Sequence, residues 1–378
     1  MFKGSIVALI TPFKNGKIDE KSFQDFIEWQ IKEGTHGLVP SGTTGESPTL
    51  NHEEHEKIIR LCIETANSRV PVIAGTGSNS TEEAISLTNY AKKAGADGAL
   101  VVTPYYNKPT QQGLFEHFKS INDNCDIPVI IYNIPGRSAV DMDINTMYEL
   151  SKLPNIVGVK DSSNDLARPL ITLDRFGKDF CQLSGEDATV VPFLSQGGQG
   201  CISVSANIVP KLCAELHNAW QKGDLKKVQE INLNLSALHQ ALFIETSPGP
   251  TKYAASLLNI CLEDCRLPLV KVSEKNKRLI KNTLDNLKIL PGSLLEISIK
   301  YNERNSLSIP DTSIMLEGNK TFAYKVSADN ITNKTEITIG IRNGGYVEVI
   351  SGLNEKDNIV AEGLKKVRPG GKIKPIKK

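Results

Sequence analysis

No stretch of this 378-residue chain comes near the run of about 18 uninterrupted apolar residues that a bilayer-spanning helix needs. The opening MFKGSIVALITPFKNG holds a short apolar run that meets Pro12 at once, so neither a secretory signal nor a membrane anchor is expected there. An excess of one charge is also missing. The 44 Lys and Arg face 43 Asp and Glu, which leaves no bulk basic field for nucleic acid or an anionic membrane. Seven cysteines, at 62, 125, 181, 201, 213, 261 and 265, include no CxxC pair. Reduced, mostly buried thiols and a cytoplasmic location are the expectation. Cys261 and Cys265 in CLEDC have helical i,i+4 spacing, but two thiols do not complete a ligand set, and no metal site is expected. No GxGxxG follows the first apolar segment, which weakens dinucleotide binding, and no cofactor is expected.

What is present is alternation. Short β-branched runs recur as SIVALIT (5–11), GLVPS (37–41), PVIAGT (71–76), GALVVTP (98–104), PVIIYN (128–133), IVGVKD (156–161), FCQLSG (180–185) and GCISVSA (200–206). Segments of helical period lie between them, such as Phe23, Phe26, Ile27 and Ile31, then Ile58, Ile59, Cys62 and Ile63. Near-continuous apolar strands suit a parallel sheet covered by helices. Eight such alternations predict a closed (β/α)8 barrel, residues 1–224, rather than an open doubly wound sheet. Helical patterns alone follow, at roughly 208–222, 225–241, 250–259 and 271–287, so residues 225–290 read as a helical appendage. From LPGS onward the chain reads as a small mostly-β domain, 291–378, with LLEISIK, TFAYKVSA, KTEITIGIR and GYVEVISGL as strands. Ile337, Ile339 and Ile341 are expected to alternate inward against Glu336, Thr338 and Gly340, and NGG (343–345) supplies a tight turn. This tail carries 14 Lys and Arg against 10 Asp and Glu.

In a (β/α)8 enzyme the chemistry sits at the C-terminal ends of the strands. Those ends read SGTTGES, TPYYNKP, YNIPGRS, Lys160, SGED and SVSAN, a polar and hydroxyl-rich rim. Lys160 alone could be a snorkelling surface lysine or the partner of Asp161. In an apolar barrel mouth, however, desolvation disfavours the ammonium, and a free amine condenses with a carbonyl to a Schiff base. Tyr132 ends the neighbouring strand, where a phenol can pass protons; a core tyrosine with a satisfied hydroxyl is the alternative. Thr43 and Thr44, between Gly42 and Gly45, offer hydroxyls and amides to a carboxylate.

Together SGTTGES (41–47), GTGSNSTEEAI (75–85), VTPYYNKP (102–109), YNIPGRS (132–138), GVKDSS (158–163) and GGQGCISVSAN (197–207) resemble the dihydrodipicolinate synthase family of pyruvate-dependent class I aldolases, from Met1 to about Leu290. The resemblance implies that pyruvate forms a Schiff base on Lys160, becomes an enamine and attacks aspartate 4-semialdehyde, toward diaminopimelate and lysine. It implies Tyr132 as proton donor and acceptor, with Thr43 relaying protons to a Tyr106 from a neighbouring subunit. Thr44, the backbone of Ile202 and Gly185 would bind substrate, and Arg137 would hold the second substrate's carboxylate. It further implies a homotetramer built as a dimer of dimers. Ser47, His52, His55, Asn79, Glu83 and Tyr105 match a lysine feedback site, although His52 and His55 could equally be first-turn residues of a helix. Pro48 stands where inhibited members often have alanine, and ETSPGPTK (245–252) departs from an Asn-Pro-x-Pro-x-Lys pattern, a change expected to alter local packing only.

Sialic acid lyases of the same superfamily typically lack an arginine at position 137, and a keto-deoxy sugar acid aldolase is a related alternative. The tail resembles the membrane-proximal β-domain of periplasmic adaptor proteins of efflux pumps, without the lipoyl domain and helical hairpin such adaptors carry. An acquired β module of unknown partner is the expectation. A catalytically idle barrel serving as scaffold is the contrasting reading; the joint presence of Lys160, Tyr132, Thr43, Thr44, Tyr106 and Arg137 favours the enzyme.

Overall fold

The computed structural model describes residues 2–290 and 305–376, and the chain divides into two compact units, Met1–Leu295 and Glu296–Lys378. The strand expected at LLEISIK falls outside the described residues.

In the first unit eight strands run parallel: β1 Gly4–Ala8, β2 Gly37–Val39, β3 Ile73–Gly75, β4 Gly98–Val102, β5 Val129–Asn133, β6 Ile156–Asp161, β7 Cys181–Ser184 and β8 Gly200–Ser203. Their order is β2-β1-β8-β7-β6-β5-β4-β3. The parallel bridge Leu38–Val72 and a hydrogen bond from Gly75 N–H to Pro40 O close the ring. The predicted (β/α)8 barrel is therefore the observed one. Helices α1 Glu20–Lys32, α2 His52–Ala66, α3 Thr81–Ala94, α4 Gln111–Asn124, α5 Ile144–Leu150, α6 Arg168–Phe176 and α7 Val190–Ser195 connect successive strands, and α8 Pro210–Gln221 follows β8. Short polar caps set where several of them begin. Asn51 and Glu54 form a reciprocal capping box on α2, and the side chains of Ser80, Thr110 and Asp143 accept from the first turns of α3, α4 and α5. Each cap satisfies a backbone donor that would otherwise be orphaned, and so fixes the length of the loop on the barrel rim.

The pleat then sorts the side chains, because successive strand residues point to opposite faces. Ile6, Ala8, Val39, Ile73, Leu100, Ile130, Tyr132, Leu183 and Ile202 fill the barrel interior. Their neighbours Val7 and Leu38, or Val101, Ile131 and Val159, pack outward against the helices. Helices α9 Leu225–Ala241, α10 Gly249–Leu257 and α11 Glu274–Asn286 extend the outer layer, burying Ile231, Leu235, Leu238, Ala254, Ile280 and Leu284 in it. Between α10 and α11 the backbone is irregular, with Asn259 left-handed at φ 58. Cys261 and Cys265 therefore do not have the helical spacing expected of them. All seven cysteines are free thiols.

In the second unit β9 Ser308–Pro310, β10 Met315–Glu317, β11 Lys320–Val326, β12 Thr332–Asn343, β13 Tyr346–Ser351 and β14 Asn358–Ile359 form an antiparallel sheet. Ile309, Ala323, Ile337, Val347 and Val349 are its core. Gly344 and Gly345, at φ 58 and 82, make the two-residue turn between the paired Asn343 and Tyr346. The inward alternation expected along β12 breaks after Ile339, and Ile341 is 70% exposed. The β12–β13 register shifts between Ile339 and Arg342, and the Glu348 carboxylate accepts from Ile341 N–H at 3.2 Å within the shifted segment. A bulge of this kind turns the following side chains to the other face.

Candidate active site

The site begins with one register. Tyr132 and Lys160 are opposite partners on β5 and β6, both inward by the pleat and both 6% exposed. Lys160 Nζ lies 4.0 Å from the Tyr132 ring centroid. Asp161, one residue on, faces the helices instead. It pairs with Arg168 Nε at 3.2 Å and accepts from Ser163 N–H at 2.8 Å, so it is not the counter-ion of Lys160. The wall beside the lysine is tightly packed at Gly185: a Cβ there would lie 1.9 Å from Ser162 Oγ and 3.0 Å from Lys160 Cε, so one of those side chains would have to move.

Glu186, from the SGED rim segment, follows in the same loop and is not singled out by the sequence. Burial pushes its carboxyl above the ordinary range, while the charges of Lys160 and Arg137 and the Ser162 hydroxyl pull it down. A carboxyl thus lies within electrostatic reach of both the buried lysine and the arginine. Asp187, next along, is buried and structural: it accepts from Ser203 Oγ at 2.5 Å, Val204 N–H at 2.8 Å and Ser205 N–H at 3.0 Å. Those bonds hold the end of β8, where Ile202 is buried.

The GTTGE segment folds into a tight turn in which Gly45 N–H donates to Gly42 O and Glu46 N–H to Thr43 O, each at 3.1 Å. Thr11 Oγ1 donates to Gly45 O at 2.7 Å. Thr44 is buried and Thr43 half-buried. Glu46 closes the turn in a left-handed conformation at φ 58, and its carboxylate meets Lys252 Nζ at 2.5 Å with both side chains at 0% exposure. Lys252 belongs to the divergent segment 245–252, so that segment anchors the threonine turn, a connection the sequence reading lacked. Arg137 stands exposed on the single helical turn Pro135–Ser138. Tyr106 is 89% exposed with a left-handed backbone, φ 66, in contrast to the buried Lys160 and Tyr132.

A second patch gathers near the N-termini of α2 and α3. His52 Nε2 meets Glu83 Oε1 at 2.7 Å, and Glu83 also accepts from the Ser78 hydroxyl. These contacts, Ser78 foremost, hold the Glu83 carboxyl below its usual range. His55 is buried, donates from Nε2 to Gly75 O at 2.7 Å and is pushed down by burial. Burial, then the Glu83 charge, raises the Tyr105 phenol. Asn79 O accepts from Asn107 Nδ2 at 2.9 Å, and Ser47 opens the short turn leading into α2. Among the described residues no group of three His, Cys, Asp or Glu is placed to hold a metal ion, and no helix is long and apolar enough to cross a membrane.

Residues 1–287 match the model of the Dihydrodipicolinate synthetase family, and residues 306–375 match that of the YknX C-terminal permuted SH3-like domain. A 4-hydroxy-tetrahydrodipicolinate synthase of Rhodospirillum centenum is 65% identical over 284 residues, which cover 75% of this chain and 98% of that protein. One from Parvibaculum lavamentivorans is 58% identical over 273 residues, 72% and 94% of the two chains. Among solved structures, the dihydrodipicolinate synthase of Aquifex aeolicus superposes with a TM-score of 0.76 at 46% identity, covering 77% of this chain and all of its own. The enzyme from Methylacidiphilum fumariolicum gives 0.75 at 40% identity, covering 76% and 96%.

Proposed function

The chain belongs to the dihydrodipicolinate synthetase family over residues 1–287, and from that premise we propose that its barrel is a 4-hydroxy-tetrahydrodipicolinate synthase, joining pyruvate to L-aspartate 4-semialdehyde through a lysine Schiff base. The observation that carries the mechanism is the buried pair Lys160 and Tyr132, matched in register inside the mouth of the barrel. Lys160 as free amine adds to C2 of pyruvate, and the carbinolamine loses water as the Tyr132 phenol protonates the departing hydroxyl. A proton leaves C3 to give the enamine, whose C3 bonds to the aldehyde carbon of the second substrate. The aldehyde oxygen takes a proton and becomes the product hydroxyl. The second substrate's amine then attacks the iminium carbon, closing the ring and returning Lys160 as amine.

Thr44 and the Ile202 backbone bind the pyruvate carboxylate in this scheme, with Gly185 leaving room beside the lysine. Thr43 and Tyr106 pass the protons to and from Tyr132. Arg137 takes the carboxylate of the second substrate, and Glu186 faces its ammonium. The outward stance of Tyr106 supports a partner subunit completing the relay, which needs at least a dimer; a homotetramer built as a dimer of dimers is the assembly proposed. The patch of Ser47, His52, His55, Asn79, Glu83 and Tyr105 is assigned to lysine feedback, and seven unpaired thiols accord with the cytoplasm. Borohydride reduction with pyruvate, followed by peptide mass spectrometry, tests the central step. An adduct on Lys160 is expected; an adduct on any other lysine refutes the assignment.

A further inference from the structure

Directly behind the reacting pair, on the outer face of the same two strands, lies a polar network that the proposed chemistry does not use. Asn133 and Asp161 are register partners one residue beyond Tyr132 and Lys160. The Asn133 amide donates to Asp141 Oδ1 at 2.7 Å and accepts from Met142 N–H at 3.1 Å. Arg168, the first residue of α6 and 8% exposed, joins the rest. Its Nη1 lies 3.0 Å from each Asp141 oxygen, its Nη2 donates to Met142 O at 2.6 Å, and its Nε pairs with Asp161 at 3.2 Å. Asp161 O in turn accepts from Gly185 N–H at 2.8 Å.

These contacts close a frame. Residues 134–140 carry Arg137 and are pinned at one end by Asn133 and at the other by Asp141 and Met142. Arg168 is the link between that second end and β6, the strand of the nucleophile. We propose that Arg168 is a positioning residue that sets the distance between Arg137 and Lys160, and with it recognition of the second substrate. The inference rests on the synthase reading above. One planar guanidinium thus hydrogen-bonds both Asp141 oxygens and Met142 O while ion-pairing with Asp161, a geometry that a lysine ammonium cannot reproduce. The lysine–tyrosine spacing is held by the β5–β6 ladder itself and does not depend on Arg168.

The test separates the two substrates. In Arg168→Lys, the rate of borohydride-trapped adduct formation with pyruvate alone should stay within about threefold of the parent, while kcat/KM for aspartate semialdehyde falls on the order of 10²-fold, the scale of an ångström misplacement. Asp141→Asn, which keeps the shape of the loop, should show the same split to a smaller degree. Combining Arg168→Lys with Arg137→Ala should add little to the loss from Arg137→Ala alone, since both act through one guanidinium. Equal losses for both substrates, unchanged kinetics, or additive losses in the combined variant would each overturn the proposal. If the parent protein traps pyruvate on a different residue, the synthase mechanism falls and this proposal with it; a parent adduct on Lys160 with no split in the variants sinks the proposal alone.

Discussion

Replacing Lys252 by methionine should destabilise the barrel severely, although the residue lies outside the reacting pair. Lys252 and Glu46 are completely buried and 2.5 Å apart. The ammonium also donates to Asp264 O at 2.7 Å and sits 4.1 Å over the Phe13 ring. Methionine preserves most of the stem volume, so the change removes the charge and its contacts more than the packing. It leaves a buried Glu46 carboxylate whose remaining donor is the Arg266 N–H at 3.0 Å. Breaking a buried ion pair from one side costs about 3–5 kcal/mol. For a domain of this size about 2–4 °C accompanies each kcal/mol, so the unfolding midpoint should drop by roughly 6–20 °C. The combined Lys252→Met and Glu46→Gln change removes the orphaned charge and should recover more than half of that loss. Circular dichroism melts at matched protein concentration provide the readout. A single variant melting within about 2 °C of the parent, or a double variant no more stable than the single one, would refute the reasoning.

Two further outcomes follow from the same geometry. Gly185→Ala should slow pyruvate adduct formation by at least about 10²-fold, because the new methyl group would meet Ser162 Oγ and crowd Lys160 Cε; stopped-time borohydride trapping checks it, and an unchanged rate refutes it. Burial holds the His117 and His217 imidazoles down at about 4, so between about pH 6.5 and 4 the unfolded chain binds more protons than the native one, and stability falls as pH falls through that window, by about 3 kcal/mol for each histidine. Denaturant melts at pH 7 and 4.5 should show the loss, and His217→Gln should reduce it; a flat profile across the window contradicts the assignment.

The eight strands were readable because each is a short apolar run bounded by turn residues, and the barrel order follows from their alternation with helices. Read lengths overshoot, as in SIVALIT against β1 Gly4–Ala8, because rim residues such as Ile10 and Thr11 are still apolar or β-branched and buried. Lys160 and Tyr132 were legible for the same reason, being the charge and the phenol at the ends of adjacent strands. Partnerships distant in the chain were not legible. Glu46 and Lys252 are 206 positions apart in sequence, and nothing local in GTTGE announces that its glutamate is buried. Arg168 likewise carries no local signal, because its partners Asp141 and Asp161 come to it from other elements of the fold. In the tail, simple alternation failed at Ile341 because a register shift depends on what the partner strand does, here Glu348 reaching across to Ile341 N–H.

The pleat of β5 and β6 assigns consecutive residues to different tasks: Tyr132 and Lys160 to the reaction, Asn133 and Asp161 to the frame behind it. For an engineer this amounts to two separately addressable libraries interleaved in one stretch of gene. Varying position 132 would explore new carbonyl chemistry beside the same nucleophile. Varying positions 133 and 161 would retune where Arg137 stands while leaving the nucleophile intact. A single-codon insertion ahead of Tyr132 or Lys160 would instead turn the core residues of that strand to the wrong face along with the site, so the two tasks are separable by substitution and not by insertion.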